Sequence, residues 1–185
     1  MELPFKEIKT DRLILNMMKL SDARSVLEIR SNPIVIKYLG QDPMPSIDAA
    51  VTWIKNGLSD LELKKGINWA IRDPNSLKLI GLIGFWKLME TKNRAEIGYS
   101  LHPEYHRKGL MSEAITAVLD YGFDELKLHS IQAEIDPLNE ASQAVLEKMK
   151  FRKEAHFTED YLYRGIYTDS AIYSLLERWY RNQKR

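Results

Sequence analysis

The sequence predicts an α/β (α+β) protein in which a mixed sheet of about seven strands carries helices on both faces. Apolar and polar residues alternate in several segments, as at Ile67, Trp69 and Ile71, which is typical of half-buried strands. The segment after Gly109 instead repeats its apolar side chains at helical spacing, as in an amphipathic helix packed on a core. Strand, helix and strand follow in order across residues 94–135, which favours a βαβ unit.

Cap and turn residues predict where the remaining helices and strands begin and end. Ser21 and Ser46 precede helically spaced apolar residues and are candidate N-caps, and Asn139 precedes a short helix in the same way. Helices are predicted over residues 21–30, from residue 46 to near 66, from residue 109, and from residue 139 to 149. Strands are predicted over residues 9–15, 67–72, 77–89, 94–101, 130–135, 155–163 and 169–176.

Composition bounds the function. The 185 residues suit one domain spanning residues 1–185. The absence of cysteine excludes a cysteine nucleophile, a thiolate metal site and disulfides. A net charge of +1 implies neither nucleic acid nor a membrane surface as the main partner. The charged start and the lack of an apolar run long enough to span a bilayer predict a soluble cytoplasmic protein.

A short basic turn with one glycine joins the strand at residues 94–101 to the amphipathic helix. Arg107 and Lys108 immediately precede Gly109. A helix that begins there directs its unpaired backbone N–H groups and the positive end of its dipole at one place. The turn lacks the Rossmann and P-loop patterns. We therefore expect a phosphorylated ligand other than NAD or ATP.

Taken together, the motifs resemble those of a GCN5-related N-acetyltransferase (GNAT), in the RimJ/RimL-like group that contains ribosomal-protein-alanine N-acetyltransferases. The resemblance covers nearly the whole chain. The family's pyrophosphate loop, Gln/Arg-x-x-Gly-x-Gly/Ala, matches at Gly109 and departs at His106 and Met111. The supporting motifs are residues 10–15, 96–99, 112–114, 139–142 and 161–169.

The resemblance implies a GNAT fold with a mostly antiparallel, twisted sheet, acetyl-CoA as cosubstrate and no metal. The pantetheine arm of acetyl-CoA would pair like an extra strand with the residues before the loop at Gly109. Gly98 would then mark a bulge or a close backbone approach, although simple packing against a helix explains a glycine equally well. The implied cofactor contacts are Tyr99, Ser100, Leu101, His106, Arg107, Lys108, Gly109, Leu110, Met111, Ser112 and Asn139.

The same resemblance assigns catalytic roles. Ser142 would protonate the departing CoA thiolate, although a serine after an Asn cap is also an ordinary structural residue. Acyl transfer needs a neutral amine, and a carboxylate acting through water suffices for an α-amine. Asp160 and Glu96 are the two candidates for that base, and we favour Asp160.

The predicted acceptor is the N-terminal α-amine of a protein or peptide, with ribosomal proteins among the candidates. The alternatives are a small amine, such as a polyamine or an aminoglycoside, and a catalytically silent acyl-CoA-binding module. A polycation site needs clustered carboxylates, and acidic residues are scattered along the sequence apart from two short groups. The sequence leaves the oligomeric state open, including a homodimer.

Overall fold

A computed structural model describes residues 4–89, 91 and 93–183 of the chain. Its centre is an eight-stranded sheet in the order β1-β2-β3-β4-β5-β6-β8-β7. Neighbouring strands pair antiparallel except β5 and β6, which are parallel. The strands are β1 Ile8–Lys9, β2 Ile14–Asn16, β3 Ile67–Arg72, β4 Leu79–Met89, β5 Arg94–Leu101, β6 Ser130–Ile135, β7 Arg152–Tyr163 and β8 Ile166–Leu176.

Helices cover both faces of this sheet, as predicted. One face packs against α4 and α5 and holds the larger core, which includes Trp69, Phe85 and Ile97. The other face packs against α1 and α3 over a smaller core that includes Leu82. The helices are α1 Ala23–Arg30, α2 Pro33–Ile36, α3 Ile47–Glu62, α4 Leu110–Asp124, α5 Glu140–Lys148 and α6 Glu177–Gln183. In the part of the chain described, none of them is long and apolar enough to cross a membrane.

Two local predictions are wrong. The single strand predicted over residues 9–15 is divided, because a turn in which the Thr10 N–H donates to the Leu13 carbonyl (2.9 Å) separates β1 from β2. This division accounts for the eighth strand. Ser21 caps no helix, since a 3₁₀ turn precedes α1 and Asp22 accepts from the Lys19 N–H at 2.7 Å. The predicted Ser46 cap is confirmed, with its Oγ accepting from Ala49 at 3.2 Å.

The two parallel strands part after a short paired stretch. Residues 94–96 of β5 pair with residues 130–132 of β6, and the ladder ends there although both strands continue. Beyond this point β5 is bonded to β4 on one side, and β6 to β8 on its far side. The sheet therefore opens between Glu96 and the start of α4.

Side chains alternate along β5 between the two faces of the sheet. Ser100 lies opposite Leu82 of the smaller core, so Glu96, two residues from Gly98 and four from Ser100, faces the α1/α3 side. Tyr99 packs on the larger core and faces the α4/α5 side. The opening between β5 and β6 is thus lined by different residues on its two faces.

Candidate active site

The turn between β5 and α4 has the backbone geometry of an anion-binding loop. Arg107 and Gly109 both have left-handed conformations, with φ of 58° and 76°. Gly109 is the N-cap of α4, and its carbonyl accepts from the Glu113 N–H at 3.1 Å. The N–H groups of the first turn, up to Ser112, consequently have no acceptor within the helix. This arrangement matches the expected site for a diphosphate.

The segment between β1 and β2, which contains Thr10 and Arg12, is hydrogen-bonded to this loop and to the first turn of α4. The Arg12 guanidinium donates from Nη1 to the Lys108 carbonyl at 2.9 Å and from Nε to Glu113 at 2.7 Å. Glu113 also accepts from the Thr10 hydroxyl (2.5 Å) and the Arg12 N–H (2.9 Å). Burial raises the pKa of Glu113, but the hydrogen bonds from Thr10 and Arg12 outweigh it, so the net shift is downward. The segment that contains Thr10 and Arg12 therefore anchors a loop about a hundred residues away in the sequence.

Glu113→Gln is expected to weaken CoA binding by about five- to thirtyfold at pH 7, because a charged acceptor shared by two anchoring residues contributes roughly 1–2 kcal/mol. The melting temperature should fall with it. A depressed carboxyl pKa stabilises the fold above about pH 4.3 and loses that effect as the pH falls. The melting temperatures of the wild type and Glu113→Gln should therefore become more similar as the pH falls towards about 4. Calorimetric titration with CoA and thermal melting measure both effects.

Glu125→Gln is the matched control for this experiment. Glu125 lies at the other end of α4 and, among the described residues, forms its ion pair with the exposed Lys6, at 2.8 Å. An exposed pair of this kind contributes little, so CoA affinity should be unchanged. Equal CoA affinity in the wild type and in Glu113→Gln would show that the anchor does not position the loop for its ligand.

The two positions that depart from the family loop pattern have clear structural roles. The His106 ring donates from Nε2 to the Leu101 carbonyl at 2.8 Å, which ties the loop to the end of β5. Met111 is partly buried and packs against the larger core, so its bulk does not obstruct the loop backbone. The Lys108 ammonium lies over the Tyr105 ring, 5.3 Å from its centroid.

The outer edge of β5 is available for main-chain pairing. Tyr99, Ser100 and Leu101 pair with β4 and have no ladder partner on the β6 side. In an antiparallel pair, alternate residues direct their N–H and C=O groups away from the partner. An extended ligand arm can therefore bond to this edge, as the resemblance implies.

The bulge predicted near Gly98 lies instead on the neighbouring strand. Gly98 pairs regularly with Gly84, while the β4 register shifts at Trp86, opposite Glu96 and Ile97. A Cβ added at Gly98 would lie 1.7 Å from Trp86 Nε1. The glycine consequently makes room for an indole ring rather than for a backbone. Trp86 is 36% exposed, so part of its ring can line a pocket.

On the α4/α5 side of the opening, Tyr99 and Ser142 form a hydrogen-bonded pair. Their hydroxyl oxygens are 2.8 Å apart. Asn139 caps α5, and its side chain accepts from the Ser142 N–H at 3.1 Å, so the structural interpretation of Asn139 is confirmed. Burial raises the pKa of Tyr99 to about 12, with the Ser142 hydrogen bond acting against it. Tyr99 therefore stays protonated at neutral pH, and its hydroxyl can donate a hydrogen bond.

On the α1/α3 side, three strands carry carboxylates that interact electrostatically. Glu96 of β5 accepts from Gln132 at 3.1 Å, and Asp160 of β7 accepts from Ser170 at 2.8 Å. Partial burial raises the pKa of Glu134 of β6, and the charges of Glu96 and Asp160 raise it further. Glu134 is thus within electrostatic reach of both predicted base candidates.

Glu134 was not among the predicted site residues, and the acidic residues were expected to be scattered apart from two short groups. The structure brings Glu134 next to two residues far from it in sequence, because β6 lies between β5 and β8 and the β7 register shifts between Phe157 and Tyr161. That irregularity contains Asp160, which bonds to the buried Ser170. The only available signal was the alternation of Gln132 and Glu134 along one strand.

A family model described as an acetyltransferase (GNAT) domain matches residues 12–152. The chain belongs to the GNAT acetyltransferase family. It is 38% identical over 173 residues to the uncharacterized N-acetyltransferase YoaA of Bacillus subtilis, covering 94% of this chain and 98% of that protein. The crystal structure of a GNAT-family acetyltransferase from Bacillus anthracis superposes with a TM-score of 0.83 at 29% identity, covering 94% and 99% of the two chains.

Other relatives of this GNAT enzyme are named for different acceptors. The Escherichia coli [ribosomal protein uS5]-alanine N-acetyltransferase is 31% identical over 56% of this chain and 54% of that protein. The E. coli spermidine N(1)-acetyltransferase is 25% identical over 90% and 87%. The recognition of the family from its motifs is confirmed, and so is the mostly antiparallel GNAT fold.

This GNAT enzyme uses acetyl-CoA, and the described residues fit that molecule. The loop around Gly109 presents N–H groups and cations for a diphosphate, and the free edge of β5 suits the pantetheine amides. When bound, acetyl-CoA supplies the activated acetyl group. The individual cofactor contacts named from the sequence stay predictions.

Proposed function

We propose that this GNAT acetyltransferase acetylates the N-terminal α-amine of a protein or peptide. Asp160, with Glu96 as the alternative, accepts the proton that the attacking ammonium must lose. Ser142 delivers a proton to the departing thiolate. These roles were inferred from sequence, and the arrangement of the side chains supports them.

The two proton-transfer groups lie on opposite faces of β5. The carboxylates lie on the α1/α3 side, and the hydroxyl pair of Tyr99 and Ser142 lies on the α4/α5 side. An amine that approaches from the first side meets a base, while a thiolate that leaves on the second side meets a hydroxyl donor. This separation suits direct transfer, because proton acceptor and proton donor need not exchange places during the reaction.

The choice of an α-amine is supported by one feature of the site: Glu134 is coupled electrostatically to Glu96 and Asp160, so the carboxylates form one group. A polyamine needs a second acidic site for its second ammonium group. The charged residues that line the cavity beside α1 are Arg30 and Asp42, and Asp42 is already paired with Arg164. A single carboxylate cluster therefore suits an acceptor with one ammonium group, whose ordinary pKa near ~8 leaves part of it neutral.

A polyamine acceptor is the second candidate, since three negative charges at one place attract a polycation. The relationship to a spermidine acetyltransferase motivates the same comparison. The two candidates differ in the charge expected along the rest of the acceptor.

An acceptor panel tests the proposal. The panel contains a lysine-free peptide with a free α-amine, the same sequence with a blocked N-terminus and one lysine, and spermidine. Because the chain has no cysteine, a thiol reagent reports released CoA without a signal from the protein. We expect kcat/KM for the free α-amine to exceed the other two values by at least about tenfold. Preference for spermidine would overturn the proposal, and CoA binding without any turnover would indicate a silent module.

A further inference from the structure

A cavity of about 400 Å³ lies between the end of α1, the loop after α2, and α3. Its charged lining residues are Arg30 and Asp42. Asp42 accepts from the Tyr163 hydroxyl at 2.9 Å and from Arg164 Nε at 2.7 Å. The hairpin tip between β7 and β8 thus neutralises Asp42. Arg30, the other charged residue of the cavity, has no oppositely charged partner among the described residues.

Among the described residues, the Arg30 side chain makes one hydrogen bond and one ring contact. Its Nη2 donates to the neutral side-chain amide of Gln41 at 2.7 Å, and its guanidinium carbon lies 4.7 Å from the Trp53 ring centroid. Its Nε is buried and has no acceptor among the described residues, which also supply no salt-bridge partner. Burial lowers the pKa of Arg30, as expected for a shielded cation without a counter-charge.

Arg72 is a buried arginine whose guanidinium, unlike that of Arg30, is paired with a carboxylate inside the protein. Two nitrogens of Arg72 donate to the two oxygens of Asp22, at 3.0 and 2.7 Å, and its Nε donates to Asn16 at 2.7 Å. A shielded cation is costly unless it is paired and hydrogen-bonded. Arg72 meets that condition within the protein, and Arg30 does not. The missing partner of Arg30 is therefore expected from outside the chain.

Trp53, which lines the cavity, links it to the side of the sheet that carries the carboxylates. Trp53 contacts Trp86, with ring centroids 5.7 Å apart, and Trp86 lies at the β4 bulge opposite Glu96. The loop that contributes Gln41 is also bound to the hairpin that bears Asp160, since the Tyr161 hydroxyl donates to the Gly40 carbonyl at 2.8 Å. An acceptor with its amine at the carboxylates can thus extend over two indole rings towards Arg30.

We propose that Arg30 recognises a carboxylate on the acceptor, so that the enzyme prefers peptides with an acidic residue close to the acetylated N-terminus. The guanidinium fork suits a carboxylate, which can accept two parallel hydrogen bonds from it. This inference rests on the proposed function, because it places the rest of the peptide relative to its α-amine. Arg30 acts in specificity and does not touch the reacting atoms.

The test uses short lysine-free peptides, amidated at the C-terminus, with glutamate at the second, third or fourth position and glutamine there in the matched peptide. We expect kcat/KM to favour glutamate at one position by about tenfold or more. Arg30→Met should remove that preference by lowering the value for the glutamate peptide alone, and Arg30→Lys should retain part of it. Free glutamate, assayed in parallel, separates an amino-acid acceptor from a peptide. Arg24→Met, at an exposed position of the same helix, is the control and should keep the full preference.

Binding of the same peptides, measured by calorimetry, separates this inference from the proposed function. Tighter binding of the glutamate peptide to the wild type, lost in Arg30→Met, supports Arg30 even if no peptide is acetylated. The inference is overturned if the wild type does not distinguish glutamate from glutamine in either assay. It is also overturned if Arg30→Met weakens both peptides equally while CoA affinity is retained.

Discussion

Asp160→Asn is expected to lower kcat about 10²- to 10⁴-fold, the usual contribution of a general base, while the dissociation constant of CoA stays nearly unchanged. The amide keeps the shape of the side chain and its contact with Ser170 but cannot take up a proton. Steady-state kinetics with a saturating peptide acceptor measures kcat, and calorimetry measures CoA binding. Reduced turnover with intact CoA affinity assigns Asp160 to the acyl-transfer step and not to cofactor binding.

Glu159→Gln is the matched control, since Glu159 is exposed and adjoins Asp160 in the same irregular stretch of β7. It should have almost no effect on kcat. Glu96→Gln and Glu134→Gln complete the comparison, because these carboxylates share one cluster with Asp160. A larger loss in either of them than in Asp160→Asn would transfer the role of base to that residue, and full activity in Asp160→Asn would refute our assignment.

Features that depend on a few neighbouring residues could be predicted from the sequence. The loop at Gly109 is one, because a left-handed glycine before an amphipathic helix fixes the direction of the first N–H groups. The Asn139 cap is another, since the residues that cap and receive the bond are three positions apart. In each case the geometry is set within a single turn of chain.

Features that depend on strand register could not be predicted in the same way. The carboxylate cluster needs three strands to be aligned, and the register shift at Trp86 depends on how β4 meets β5. A shift of one residue in any strand moves its side chains to the other face. The sequence pattern identified each strand without its exact partner residues, so Glu134 was not recognised as a neighbour of Glu96 and Asp160.

The pairing of Tyr99 with Ser142 is also non-local, and it changes the expected identity of the proton donor. Tyr99 was predicted only as a cofactor contact. Its hydroxyl lies 2.8 Å from that of Ser142, and burial raises its pKa to about 12. The 2.8 Å contact allows the two hydroxyls to act as one unit, in which Ser142 gives its proton to the thiolate, Tyr99 gives its proton to Ser142, and solvent then reprotonates the tyrosinate.

Ser142→Ala is expected to lower kcat about 10²-fold, and Tyr99→Phe about tenfold or more, with CoA affinity nearly unchanged. If the hydroxyls act as a unit, the double variant should be no slower than Ser142→Ala, because the effects of coupled groups do not add. Rapid-mix and steady-state measurements of CoA release give all three values. Tyr105→Phe, in the loop before α4, is the control tyrosine and should keep full activity.

A second readout distinguishes proton donation from simple packing. An acetyl thioester whose thiol is more acidic than CoA needs less protonation on departure, so Ser142→Ala should lose less rate with that donor than with acetyl-CoA. A packing defect would slow both donors alike. Equal losses with the two donors, or additive losses in the double variant, would assign Tyr99 and Ser142 to positioning of the acyl group and would require another proton donor for the thiolate.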